Sequence, residues 1–306
     1  MKKLIAIVGP TATGKSALTL SLAAKYKIEI INADSRQIYR YMDIGTAKPG
    51  RLERELVPHH LYDIVDPDES FSLAVYQGNA LTLIKEISGR DNVPVLVGGT
   101  GLYVRATLEK WSIPGVPPHA EFRRSLENKA IQEGHNALYA ELQKVDPESA
   151  KRIMPTNVRR VIRALEIFHY SGHQPSKFSR NNDTEEVTPL IIGLTMDRKK
   201  LYSRIDVRVD HMINNGLIGE VKSLMDRGYG LDLPSMSGIG YSEISMFLRG
   251  EIGLDEAVSR IKYRTHGFAR KQYAWFKPGD SRIHWFDVEN DIKDNIERLI
   301  HEYLEN

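Results

Sequence analysis

The stretch that most constrains this chain is its start. Leu4-Ile5-Ala6-Ile7-Val8 is a continuous apolar run that leads straight into Gly9-Pro10-Thr11-Ala12-Thr13-Gly14-Lys15-Ser16. Such a run reads as a strand buried on both faces, the kind found in parallel sheets. The octapeptide fits G-x-x-x-x-G-K-[ST], and Ser16 to Lys25 has helical apolar spacing with no Gly or Pro. In that setting the loop's backbone N–H groups curl around a phosphate, and the helix N-terminus adds partial positive charge. Lys15 supplies a point charge, and the Ser16 hydroxyl is placed to hold a magnesium ion. The motif calls for a diphosphate or polyphosphate without saying whether it is ATP.

The rest of the chain extends this start into an α/β core. Ile28 to Asn32 reads as a second strand, His60 to Val65 as a weaker third and Val93 to Val97 as a fourth, with a helix over Leu73 to Ile87. Strands alternating with helices imply right-handed crossovers and a parallel sheet. After Tyr103 the character changes. Pro114, Pro117 and Pro118 form a linker, followed by helices over 120–133, 137–144 and 158–170 and a helical turn starting at Asp146-Pro147. A polar loop spans 171–188, a strand returns at 189–194, residues 198–273 are mostly helical, and 283–286 is a last strand. The expected fold is therefore a P-loop NTPase-like parallel sheet flanked by helices, with an inserted all-helical domain. The core is assigned to 1–116 plus 181–306, and the insertion to 117–180.

Composition narrows the class. The 306 residues are 41% hydrophobic and 27% charged, ordinary for a globular protein. The longest stretch free of Asp, Glu, Lys and Arg, from Ser70 to Ile84, is shorter than the ~18 residues a membrane helix needs. The short apolar run after Met1-Lys2-Lys3 argues against a signal peptide. With no cysteine there is no thiolate nucleophile, disulfide or Cys-bound zinc. A cytoplasmic, single-chain enzyme, away from membranes, is expected. Net charge is 42 minus 40, or +2, but five bases and no acids lie between Lys151 and Arg163, and six bases and no acids between Ser259 and Lys277. The tail from Trp285 to Asn306 is acidic. Two basic runs offset by an acidic tail suggest a side that faces a polyanion, although solvated helix faces have the same composition.

Ligands bind beyond the carboxyl ends of parallel strands, so Asp34, at the end of the second strand, lies near the phosphate loop. It is a candidate general base or magnesium ligand, and equally a helix cap. Gly98-Gly99-Thr100-Gly101, at the end of the fourth strand, allow close backbone approach to a ligand or simply form a tight turn. The adjacent His59-His60 point to opposite faces of a strand and are taken as structural.

Taken together the motifs resemble one family. Gly9–Ser16, Asp34-Ser35-Arg36-Gln37-Ile38-Tyr39, Met42-Asp43-Ile44-Gly45-Thr46-Ala47-Lys48-Pro49, Gly98-Gly99-Thr100-Gly101-Leu102-Tyr103 and Arg159-Arg160-Val161-Ile162-Arg163-Ala164-Leu165-Glu166 occur in that order. With Gly238–Glu243, Ala269-Arg270-Lys271-Gln272 and Trp275-Phe276, the chain closely resembles the tRNA dimethylallyltransferases, the bacterial tRNA isopentenyltransferases. Arg270-Lys271 stands where Lys-Arg is usual, and Ala274 where threonine is commoner.

The resemblance implies transfer of a dimethylallyl group from dimethylallyl diphosphate to N6 of adenosine 37 of tRNA, with magnesium as cofactor and a monomeric enzyme. It implies that residues 9–16 grip the diphosphate, and that Lys15, Arg208 and magnesium on Ser16 neutralise the leaving group. Asp34 is then the general base on N6, and Thr11 and Thr100 contact the diphosphate and the tRNA. It further implies tRNA contacts at Asp34, Ser35, Arg36, Gln37, Arg123, Arg159, Arg160, Val161, Ile162 and Arg163, clasping the anticodon stem while the target base is flipped. Arg159 and Arg160 lie four and three residues before Arg163, so a helix can put all three on one face. A small-molecule or nucleotide kinase, or a non-catalytic RNA-binding P-loop protein, are the other classes that the phosphate loop admits.

Overall fold

The structure is a computed structural model that describes residues 3–178 and 188–305. Ile5–Val8 form β1, buried along its whole length, as the unbroken apolar run requires. The remaining strands are β2 (Ile28–Asn32), β3 (His59–His60), β4 (Val93–Val97), β5 (Leu190–Thr195) and β6 (Ile283–Asp287). All pair in parallel in the order β3-β2-β4-β1-β5-β6, so β1 lies inside the sheet between β4 and β5. β3 is shorter than the expected third strand. Leu61 and Asp63 adopt positive φ (63° and 54°), which turns the chain out of the ladder, and only Val65 returns to bridge Tyr39. Both histidines are structural here: His60 Nε2 lies 2.6 Å from Glu29, and His59 Nδ1 lies 2.7 Å from the Val57 carbonyl.

Helices α1 (Lys15–Ala23), α2 (Arg51–Leu56), α3 (Leu73–Gly89) and α4 (Gly101–Leu108) precede the helical region. α9 (Arg198–Asn214), α10 (Leu217–Asp226), α11 (Tyr241–Leu248), α12 (Leu254–Trp275) and α13 (Lys293–Glu305) follow β5. One core joins Ile5, Ile7, Ile30, Val95 and Ile192 of the sheet with Leu22 of α1 and Ile296 and Ile300 of α13. The last helix also closes on the first strand. Tyr303 Oη accepts the Leu4 N–H (3.0 Å), and Lys3 Nζ donates to the Tyr303 carbonyl (2.6 Å). At the end of β1, Gly9 has φ 136°, and a Cβ there would meet the Leu194 carbonyl oxygen at 2.4 Å. Only glycine lets the loop leave the strand so close to β5.

The described residues fall into two compact units. Residues 3–71, 76–108 and 188–305 carry the sheet, and residues 72–75 and 109–178 form the other. The second unit contains α5 (Ala120–Gln132), α6 (His135–Val145), α7 (Pro147–Arg152) and α8 (Val158–Ser171), around a core that includes Leu126, Leu138, Leu142, Val161, Ile162 and Leu165. Its helices start as their caps dictate. Asp146 accepts from Ser149 N–H (3.0 Å) ahead of Pro147, and Gly172 ends α8 at φ 69°. This unit starts at Glu109, ahead of the proline linker. The boundary expected at 180/181, and the loop residues 179–187, lie outside the described residues. No described helix is long and apolar enough to cross a membrane.

Candidate functional site

Parallel strands deliver their carboxyl ends to one edge of the sheet, where Gly9 follows β1, Asp34 follows β2 and Thr100 follows β4. Asn32, fully buried at the end of β2, folds its side chain into the turn. It accepts the Asp34 N–H (2.8 Å) and donates to the Asp34 and Leu61 carbonyls. Asp34 Oδ1 in turn accepts the Arg36 N–H (2.8 Å), so the carboxylate is held by a local Asx turn. Thr100 Oγ1 accepts the Ser35 N–H (3.0 Å) and lies 3.3 Å from the Ser35 hydroxyl, stitching the two strand ends together.

In the loop after β1, Ala12 and Gly14 take φ 66° and 88°, and Thr13 is buried and donates to the Pro10 carbonyl (2.9 Å). Lys15 Nζ donates to the Gly9 and Pro10 carbonyls (3.1 and 2.8 Å), which fixes its ammonium inside the loop. Burial and the neighbouring Arg208 guanidinium push the Lys15 ammonium down to about 8, while Asp34 opposes the shift. Arg208, on α9, is likewise lowered by burial and held up by Asp34. Among the described residues Arg208 has no hydrogen bond or ion pair. A half-buried guanidinium without a partner, beside a second desolvated cation, is a site short of negative charge. Ser16 is exposed at the first turn of α1.

A cavity of about 190 Å³ opens at this point, lined by Thr11, Asp34, Arg208, Gly45, Tyr241 and Phe268 among others. A larger cleft of about 710 Å³ shares Arg208, but its other cations are matched. There Lys48 pairs with Asp43 and Asp63 (both 2.6 Å), and Arg54 pairs with Asp63 (2.7 Å). Arg208, which lines both, is thus the unmatched cation where the two meet.

Several of the expected contact residues are engaged within the protein itself. The close approach at the fourth strand's glycines is made by protein: a Cβ at Gly99 would meet Gln272 Nε2 at 2.0 Å, and one at Gly101 would meet Trp275 at 2.2 Å. Gln272 bridges the loops, accepting from the Thr11 N–H (2.8 Å) and donating to the Gly99 carbonyl (3.2 Å). Arg36 donates to the Pro234 and Ser235 carbonyls, and the Gln37 amide to the Thr46 and Ala47 carbonyls.

In the helical unit, Arg123 and Arg163 both close on the buried Glu166, with Arg123 bidentate (2.8 and 2.7 Å) and Arg163 at 2.6 Å. Burial alone would raise the Glu166 carboxyl, but Arg123, the His119 N–H and Arg163 hold it down at about 2. Arg163 therefore does not share a free face with Arg159 and Arg160, which are exposed and unpaired among the described residues. Val161 and Ile162 are 0% and 3% exposed, their side chains packed in the core of this unit. Nor is the run from Ser259 to Lys277 acid-free in space. Arg260, Lys262 and Arg264 pair with Glu256, Asp210 and Glu243.

Comparison with known proteins bears on this site. The sequence model described as IPP transferase matches residues 37–279, and one described as isopentenyl transferase matches residues 2–58. The chain belongs to the IPP transferase family. A tRNA dimethylallyltransferase of Roseiflexus sp. (strain RS-1) is 52% identical over 277 residues, covering 90% of each chain. The full-length tRNA isopentenylpyrophosphate transferase of Bacillus halodurans superposes with a TM-score of 0.73 at 43% identity, covering 100% of this chain and 97% of that one. A eukaryotic dimethylallyltransferase, solved acting on tRNA, gives a TM-score of 0.81 at 28% identity over 98% of this chain and 78% of its own. The family match takes in Asp34 and the phosphate loop in its shorter part, and Thr100, Arg208 and Gln272 in its longer part.

Proposed function

We propose that this protein transfers the dimethylallyl group of dimethylallyl diphosphate to N6 of adenosine 37 in tRNA, releasing diphosphate. The observation that carries the reading is the pairing of the Arg208 guanidinium and the Asp34 carboxylate on one small cavity, with the desolvated Lys15 ammonium held inside the phosphate loop close enough to feel both charges. Two fixed cations suit a dianionic leaving group, and their stabilisation grows as the carbon–oxygen bond breaks and charge collects on the diphosphate. The bond from N6 to the allylic carbon forms as the bond to the diphosphate oxygen breaks, and Asp34 takes the N6 proton. In this reading the carboxylate acts through Oδ2, because Oδ1 is occupied by the Arg36 N–H.

The residues fit a magnesium ion that is only partly held by protein. Among the described residues no group of three or more His, Asp or Glu forms a cage, whereas the Ser16 hydroxyl is exposed beside the loop. Mg²⁺ commonly keeps waters and relies on substrate phosphates, so Ser16 would hold it against the diphosphate, where it would supply further neutralising charge. Backbone groups of residues 9–16 would bind the diphosphate. Thr100 and the 34–37 turn would border the flipped base, and Arg159 and Arg160 would supply phosphate contacts in the helical unit. A cytoplasmic monomer suits such a role.

The test is incubation with unmodified tRNA and either labelled dimethylallyl diphosphate or labelled ATP. Label from the isoprenoid should reach tRNA, and should fail to reach tRNA in which guanosine replaces adenosine 37. Phosphoryl transfer from ATP with no prenylation would instead support a kinase.

A further inference from the structure

One carboxylate near the cavity has no part in the mechanism above, yet it collects more hydrogen bonds than any group that does. Glu220, in the first turn of α10, accepts from four donors. Oε2 takes the Asp43 and Ile44 N–H groups (3.0 and 2.7 Å), and Oε1 takes the Gly45 N–H (3.1 Å) and the Tyr241 hydroxyl (2.6 Å). Three successive backbone N–H groups thus converge on one side chain more than 170 residues away. The opposite side of the same turn is closed by the Gln37 amide, which donates to the Thr46 and Ala47 carbonyls (3.0 Å each). Gly45, Thr46 and Tyr241 are walls of the cavity that holds Asp34 and Arg208. The wall is tightly built: a Cβ on Gly45 would fall 2.6–2.8 Å from the Tyr241 ring, which is 1% exposed.

The turn contributes backbone to this wall, and an unsatisfied backbone N–H recruits water. Here the Asp43, Ile44 and Gly45 N–H groups are all matched to one fixed anion, so none of the three is a free donor beside the cavity. The allylic carbon gains positive charge as its bond to the diphosphate breaks, and it is attacked by whichever nucleophile is nearest. Capture by the amine forms a C–N bond and sends the N6 proton to Asp34. Capture by water forms a C–O bond, sends a proton to solvent and yields the allylic alcohol. Diphosphate leaves in both cases, so the outcome depends on excluding water.

We propose that Glu220 is a positioning residue for the transfer: by tying the Asp43–Gly45 backbone to Tyr241 it keeps the cavity wall closed, so that the departing allyl group meets the amine and not water. The inference rests on the prenyl-transfer reading of the site. It assigns Glu220 no contact with substrate and no proton to move.

The full-length protein is assayed with labelled dimethylallyl diphosphate and saturating tRNA, and diphosphate released is compared with allyl group transferred. In the unaltered protein the two should be equal. Glu220→Gln puts an amide NH₂ against two of the four donors. It should raise release over transfer several-fold, produce the free alcohol and raise KM for the isoprenoid, with KM for tRNA unchanged. Tyr241→Phe keeps the ring against Gly45 and removes one hydrogen bond, so it should shift the ratio the same way by less. Glu220→Asp keeps all the acceptor charge on a shorter arm and should restore part of the coupling. Equal release and transfer in Glu220→Gln, with only a lower melting temperature or less active protein, overturns the proposal. Equal release and transfer in Tyr241→Phe overturns it if Glu220→Gln does not fold. Failure of the unaltered protein to prenylate tRNA would instead remove the functional reading itself.

Discussion

At the scale of single residues, Asp34 and Arg208 make separable claims. Asp34→Asn keeps an oxygen to accept the Arg36 N–H, so the turn should survive while the proton acceptor is lost. Single-turnover transfer should fall by about 10²–10⁴, the usual cost of a missing general base, with tRNA affinity within a few-fold. Arg208→Ala should raise KM for the diphosphate and add on the order of 3 kcal/mol to the barrier. Arg208→Lys should recover only part of that, because a point charge replaces a planar fork. Steady-state kinetics in each substrate separates the two residues. If Arg208→Ala weakened tRNA binding and spared the isoprenoid, its place on the diphosphate would be wrong. The phosphate loop was legible in the sequence because its chemistry is local: eight consecutive residues carry both the turn and the charge. Gln272 stood out only as the end of a family motif, without its role, and Glu220 had no such signature. Their partners lie at Thr11 and at Asp43–Gly45, and nothing within a helical turn of either residue announces them.

At the scale of elements, the buried strands were readable because a strand covered on both faces has to be apolar, as β1 and β4 are throughout and β5 is as far as Leu194. α4 was not, because Gly101 looks like turn punctuation and is glycine only to let Trp275 pack. α8 shows the limit of spacing arguments. Arg159, Arg160 and Arg163 are compatible with one face, but Glu166, three residues beyond Arg163, draws it away. This separates two predictions. Arg159→Ala with Arg160→Ala should raise KM for tRNA, leave that for dimethylallyl diphosphate unchanged, and reduce the log–log salt slope by roughly 0.7–0.9 per lost contact. A tRNA titration across salt concentrations reads this directly, and an unchanged slope would make these arginines mere surface. The Glu166 site should instead report on stability. Its folded pKa, about 2, lies below the ordinary value of 4.5. The unfolded chain therefore takes up the proton first, and the stabilisation is full above the unfolded value and lost as pH falls towards 2. Denaturant midpoints of the unaltered protein and Glu166→Gln should differ at pH 6 and converge towards pH 3.

At the scale of the whole chain, the sheet is assembled from distant pieces around β1. Ile7 is completely buried at its centre. Ile7→Ala should destabilise the protein by about 2–5 kcal/mol, seen as a lower denaturant midpoint with the loop sequence untouched. Activity per folded molecule should change far less than stability. The closing contact of the fold joins Leu4 to Tyr303, 299 residues later. A ribosome adding roughly 5–20 residues per second completes β1 about 15–60 s before that cover exists. For most of that time the newborn chain carries an apolar segment with no β5 beside it and no α13 over it. The loop that is to grip the diphosphate hangs from the same strand. It is made well before the elements that complete its surroundings.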